Sequence, residues 1–429
     1  MRGFRSHWCG LIFCSFLFLT LPLAAFANDY YVSATGSDSN NGSQGSPWRS
    51  IQKATSAFTL GSSGTVIHVA AGTYTAPDIT RGGASNSARL VIQCDAGVAS
   101  ASAAQGQCRI TNDHILIEAG NIDMVGFDVG NNSNMNVAFD VICPSNSGSG
   151  QLCPAGPNVR IIGNYIHDLG ASVNAGSAVG CSDAGAINEV SHGYRMTGNK
   201  YIGNFILNFG AGYPSPVGGN CGWGIDLDGT DAVVQNNIII NVPTGGIGSH
   251  AACNLVISNN VIIKTTDAIV PNSQHAGTMC PNGVGHNTFA NNYSANVVNH
   301  YYQSGGASAC TSSNPSLYSH NITDGSGNDF NPPRTGCDTV NPSPMAHQAP
   351  SAYFVQYQAS AAGDFHLSTT SAGVLAGSTQ CVAGGISPCT PSTDIVGVVR
   401  GSPLSVGAYE TQQAGSVPSP PTGLTAQVQ

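Results

Sequence analysis

Val233–Ile240 reads VVQNNIII, and Leu255–Ile263 reads LVISNNVII. In each, apolar, mostly β-branched residues flank an Asn-Asn pair, and the second asparagines, Asn237 and Asn260, lie 23 residues apart. The same word recurs outward along the chain, as VRIIGNYI at Val159–Ile166, YIGNFI at Tyr201–Ile206 and TFANNY at Thr288–Tyr293. Aligned on Asn164, Asn204, Asn237, Asn260 and Asn292, the spacings are 40, 33, 23 and 32 residues. The shortest fits one bare turn of a parallel β-helix. The longer ones fit turns carrying inserted loops, which such repeats place on the surface.

A second word follows each asparagine: Ala186-Ile187, Gly224-Ile225, Gly246-Ile247 and Ala268-Ile269. The gap from asparagine to isoleucine is 10 and 9 residues in the compact turns and 23 and 21 in the looped ones. A small residue followed by isoleucine at a fixed place predicts a tight bend and then an inward apolar side chain. Stacked turns would bring the asparagines into a column, bonding to one another and to the turn backbone, which is a structural role. A β-sandwich would need hairpin signals roughly every 8–12 residues, and a propeller blades of about 40–50. The expected fold is therefore all-β, a right-handed parallel β-helix spanning 28–410. Ser46 and Pro47 are read as the N-cap and first residue of a short helix closing its N-terminal end.

Composition agrees. Charged residues make up 8% of the chain and apolar ones 41%, and the only lysines are Lys53, Lys200 and Lys264. A helix-rich protein would carry more Leu, Glu and Lys. Arg2, Arg5, the apolar run Leu11–Ala25 and Ala25-Phe26-Ala27 are read as a secretory leader, cut after Ala27. That run is short for a membrane span, and no later segment is long and apolar enough for one. Twelve cysteines follow the leader, an even number that suggests disulfides between sequence neighbours. The expected pairs are Cys94–Cys108, Cys143–Cys153, Cys181–Cys221, Cys253–Cys280, Cys310–Cys337 and Cys381–Cys389. Without Arg2 and Arg5, 11 basic residues face 22 acidic ones, which opposes binding to nucleic acid or anionic lipid. It opposes acidic sugars too, unless a cation such as calcium bridges the charges. A monomer is expected. Residues 411–420 read as a Ser/Pro/Gln linker, and Pro421–Ala426 as the start of a fibronectin type III module too short to fold.

The run Tyr30–Tyr74 contains YYVSATGSDSNNGS, SPWRSIQKA, GTVIHV and AAGTY, and the tail contains DIVG and GAYE. In these words the chain resembles secreted right-handed β-helix proteins, among them the pectate lyases of polysaccharide lyase family 9 and chondroitinase B-like lyases. The resemblance implies a carbohydrate-active fold. Family 9 also implies calcium held by aspartates and a lysine base. Here Gly222-Trp223-Gly224-Ile225-Asp226 keeps only Asp226 of the acidic strand, and Lys200 and Lys264 fall in the asparagine strands. The family 9 mechanism is not carried over.

The residues suggest a site of their own. With Ile225 and Leu227 inward, Asp226 and Asp228 point outward about 6–7 Å apart. Counting coils places Asn188 beside Asp226, His250 beside Asp228, and Asn272 in the His250 column. Loops near 169–185, 209–223 and 271–286 would wall this patch, and Trp223, Tyr213 and Tyr194 would offer stacking faces for sugars. Three readings of the acid pair stay open. Asp226 and Asp228, with His250, would serve a hydrolase; Asp226, Asp228 and Asp231 would hold calcium; or Asp228–Asp231 is a plain turn. His192 and Tyr194 are candidate lyase bases, and His167-Asp168 is read as a turn feature. The expected function is cleavage of a polysaccharide outside the cell, by β-elimination or hydrolysis. The alternatives are a non-catalytic glycan-binding or adhesion protein and a structural spacer in the cell envelope.

Overall fold

The computed structural model describes residues 28–96, 107–132, 135, 137–143, 151–153, 158–170, 184–210, 221–272, 275–303, 310–333, 336–342, 345–358 and 364–410. The chain is a right-handed parallel β-helix. Its coils build three parallel sheets of 11, 9 and 10 strands, and in each sheet successive coils lie side by side in chain order. The first sheet runs from Asn28–Val32 to Asp338–Asn341, the second from Asp78–Ile79 to Asn328–Asn331, and the third from Gly72–Tyr74 to Ala346–His347.

The asparagine column forms as the spacing predicts. Asn164, Asn204, Asn237, Asn260 and Asn292 each donate Nδ2 to the Oδ1 of the next, at 3.0–3.1 Å, and Asn321 adds a further rung. From Asn204 to Asn321 each Oδ1 also accepts the backbone N–H of the asparagine before it, and that of Asn164 accepts the Phe127 N–H. The Asn-Asn doublet has a division of labour. The first residue takes the left-handed conformation that turns the corner, at Asn236, Asn259 and Asn291, while glycine does so at Gly163 and Gly203. The second fills the column, fully buried and fully bonded.

The isoleucines also stack. Ile187, Ile225, Ile247 and Ile269 are in register on adjacent coils of the second sheet and are buried. The small residue before each is inward as well. A Cβ on Gly224 would lie 2.7 Å from Ile239 Cγ2, and one on Gly246 2.5 Å from Ile262 Cγ2. Two consecutive inward residues mark a bend, so the residue after each isoleucine faces out.

The N-terminal end is closed by the chain itself. The helix begins later than expected, at Ile51, with Ser50 as its cap accepting from Lys53 N–H. Asp38 explains the shift, because its carboxylate takes Arg49 N–H, Ser50 N–H and the Ser50 hydroxyl and holds 49–50 outside the helix. The helix buries Ile51 and Ala54 in the main core. Gln52 bonds both the N–H and the C=O of Asp78, satisfying the open edge of the second sheet. At the other end, Pro350–Glu410 folds back along the outside. Tyr353, Phe354, Phe365 and Val406 pack on Phe205, Ile238, Val261 and Tyr293 of the third sheet. Cys389 packs on Val233 and Val256 of the first sheet. The DIVG and GAYE words make this cover, with Asp394 accepting from Val396, Val398 and Glu410, and Glu410 pairing with Arg400.

Five expected disulfides are formed: Cys94–Cys108, Cys143–Cys153, Cys253–Cys280, Cys310–Cys337 and Cys381–Cys389. The sixth, Cys181–Cys221, lies outside the described residues, as do the leader and residues 411–429. No helix among the described residues is long and apolar enough to cross a membrane.

Candidate functional site

The Pro350–Glu410 cover packs on the first and third sheets, and the second sheet carries a polar outward row outside that cover. The residue after each inward apolar residue forms a row in register: Asp140, Asn188, Asp226 and Gly248, on strands Phe139–Ile142, Ala184–Val190, Cys221–Leu227 and Gly245–Ser249. Asn188 Nδ2 donates to Asp140 Oδ1 at 3.0 Å. Burial raises the Asp140 carboxyl above its usual range, against the opposing effects of Asn188, His114 and His192.

Asp226 pairs with His250, Nε2 to Oδ1, at 3.1 Å. The expected Asp228–His250 contact is not made. The strand ends at Leu227, so side-chain alternation stops there. Buried Glu189 accepts the N–H groups of Asp228 and Gly229 and bends the chain toward the preceding coil. There Asp228 takes the Ser191 N–H at 3.0 Å and the Ser191 hydroxyl, and it pairs with His275 Nδ1 at 2.8 Å. Burial alone would raise the Asp228 carboxyl, but its bonds from His275 and Ser191 outweigh burial and hold it below the usual range. The His250 and His275 rings stack with centroids 5.3 Å apart. Two Asp–His pairs therefore meet through their imidazoles.

Other expectations are corrected. Asp231 turns away from Asp226 and Asp228. It occupies a left-handed corner, bonded by Thr230 and Asn254, and lines a pocket with Cys253, Cys280 and His286. The three carboxylates do not converge as a calcium site. Among the described residues only Cys310, Cys337 and Asp338 approach metal-ligand spacing, and those cysteines are disulfide-bonded. Tyr194 is 9% exposed and packs in the main core, so little of its ring faces solvent. Trp223 is 8% exposed and lies flat on two glycines. A Cβ on Gly245 would be 2.0 Å from its ring, and one on Gly248 2.9 Å. Asn272 is half-buried beyond the strand end, its backbone bonded to Ser249 and Ala252. His192 is exposed, with Nδ1 on Cys143 O at 2.8 Å. Tyr213 and the segments 171–183 and 211–220 lie outside the described residues. His167 is more than a turn residue: on the third sheet it bridges Asp128 and Asp168, at 2.9 and 2.8 Å.

Sequence reasoning missed Asp140 and His275. Ala138-Phe139-Asp140 follows the pattern of Ala186-Ile187-Asn188, with phenylalanine in place of isoleucine. His275 lies in a long insertion with no periodic signal.

Residues 34–80 match a family described as "Protein of unknown function (DUF1565)". No curated protein matches. Among solved structures the chain is similar to pectate lyase Pel9A, with 17% identity, 91% of this chain and 98% of that one covered, and a TM-score of 0.44. It is also similar to XylC, whose structure is a complex with xylose, with 13% identity, 70% and 66% covered, and a TM-score of 0.41. A third is a rhamnogalacturonan lyase, with 12% identity, 77% and 91% covered, and a TM-score of 0.40. At these identities the likeness concerns the fold.

Proposed function

We propose that this chain is an exported carbohydrate-active enzyme that hydrolyses a neutral polysaccharide on the outward face of its second sheet. The observation that carries the reading is the row Asp140–Asn188–Asp226, with one carboxyl raised by burial and the other paired to a histidine. Asp140 and Asp226 are two coils apart, roughly 9–10 Å between backbones. Inverting glycosidases separate their carboxyls by about 6.5–9.5 Å to admit a water. Asp140, its carboxyl raised by burial, is the group that donates a proton to the leaving glycosidic oxygen in this reading. Asp226, oriented by His250, accepts a proton from water as that water attacks the anomeric carbon. The C–O bond breaks, the configuration inverts, and both protons are accounted for. Asn188 Oδ1 is buried and accepts from no group among the described residues, which suits a substrate hydroxyl.

Hydrolysis fits this face better than β-elimination from an acidic sugar. Asp226 and Asp228 pair with His250 and His275, groups suited to orienting an acid and a base. One observation favours the structural-spacer reading: Asn188 and Asp226 are each 2% exposed. Purified protein on a panel of neutral and acidic polysaccharides separates the readings. New reducing ends on a neutral substrate, absent from Asp140→Asn and Asp226→Asn, support hydrolysis. Ultraviolet-absorbing unsaturated products would mean elimination. Retention of a glycan with neither product would mean binding alone.

A further inference from the structure

The outward face of the first sheet carries a second charged feature, unrelated to the row above. Over its later coils the face is covered, with Gln235 and Ser258 both donating to Cys389 O. On earlier coils, the column in register with Val233 reads Asp123, Arg160 and Lys200. Arg89 joins from the preceding turn. Its Nε and Nη2 reach Asp123 Oδ1 at 2.8 and 2.7 Å, and the Ile122 and Asn158 carbonyls hold it further. That pair satisfies Asp123. Arg160 stands 3.8 Å from the same carboxylate, and among the described residues no carboxylate pairs with Lys200. Two arginines thus share one anion, with Lys200 beside them, in a chain where 13 basic residues are outnumbered by 22 acidic ones.

The arrangement works against stability. Arg160 and Lys200 are direct neighbours on adjacent parallel strands, about 4.8 Å apart, and like charges placed opposite one another destabilise a sheet. Burial, and then the neighbouring cations, pull the Lys200 amine below its usual value; burial, opposed by Asp123 and reinforced by Arg89, does the same to Arg160. Beside them runs a second outward column, Val125, Ile162 and Ile202, the two isoleucines half-buried. A partly exposed cation pair beside a short apolar strip suits an acidic group carried on a sugar ring, with the ring's apolar face on the isoleucines. It is too small for nucleic acid, whose affinity comes from many phosphate contacts.

We infer that Arg160 and Lys200 form a binding site for the carboxylate or sulfate groups of an anionic polysaccharide, on a face separate from the Asp140–Asp226 row. The site would hold the protein on an acidic matrix while the second sheet works on a neutral chain.

The test is electrophoresis of the full chain through native gels containing polygalacturonate, dextran sulfate or neutral dextran. Slowing is expected in an acidic gel and not in neutral dextran, and it should vanish at high salt. Polygalacturonate and dextran sulfate separate carboxylate from sulfate recognition. Arg160→Gln with Lys200→Gln should weaken the retardation at least ~tenfold, leaving cleavage of a soluble neutral substrate unchanged. Lys200→Gln alone removes no ion pair of the fold, so it should lose part of the retardation without lowering the melting temperature. No slowing in either acidic gel, or equal slowing of wild type and both variants, would overturn the inference.

Discussion

The second and third sheets are built from the same coils, yet their outer faces have opposite fates. On the third, Phe205, Ile238, Val261 and Tyr293 point out and are roofed by Tyr353, Phe354 and Phe365 of the chain's own tail. On the second, the matching outward positions carry Asp140, Asn188 and Asp226, with His250 paired to Asp226. The coil supplies columns at a fixed spacing, and the chemistry of each outward column decides whether it binds the chain itself or a reactant. One coil interior lies behind both faces, with the asparagines at the corner between the first and third sheets and the isoleucines on the second.

The comparison can be broken most sharply at the second sheet. Asp226→Asn should lower turnover ~10²–10⁴-fold, the usual weight of a general acid or base, with the melting temperature close to wild type; kinetics and calorimetry on one preparation check both. Asp140→Asn should do the same. In the wild type, the rate should fall as pH rises through the elevated Asp140 value, because the donor's proton is then lost. A pH profile without that alkaline limb would remove Asp140 as the acid.

On the third sheet the balance should reverse. Phe365→Ala opens a buried site between Phe354 and Phe205 and should cost about 3–5 kcal/mol in urea unfolding, with turnover unchanged per folded molecule. The shared column should show an intermediate loss of stability. Asn260→Ala leaves the Asn237 backbone N–H without its acceptor and removes one of the acceptors of its side-chain amide, and should cost about 1–3 kcal/mol.

The smallest effect concerns His167. Burial would lower its imidazole, but the bonds to Asp128 and Asp168 win and raise it above the usual value. Its stabilising contribution is therefore fully present below the ordinary histidine value, about 6.5, and is lost as pH rises through the elevated one. The difference in urea midpoint between wild type and His167→Gln should shrink over that window.

Much of this contrast was legible in the sequence. Asn237 and Asn260 mark a bare 23-residue coil, and the looped coils keep the same buried amide column because their insertions fall elsewhere in the turn; the isoleucines mark the bend. Columns carry information only while the strand lasts. Asp228 lies one residue past its strand, where Glu189 redirects the chain, so the alternation rule assigned it the wrong histidine. His275 enters from an insertion whose path no periodicity fixes. Asp140 sat in a coil whose inward residue is Phe139, outside the isoleucine pattern. Tyr194 looked available because a tyrosine beside a histidine in a polar stretch gives no sign of facing the core.

The most direct measurement is the configuration of the first sugar released, followed by proton NMR on the neutral polysaccharide the enzyme prefers. Two carboxyls two coils apart predict that the new reducing end first appears as the inverted anomer. A retained anomer would require the acid and its partner to be closer than this row allows, and would contradict the assignment of Asp140 and Asp226.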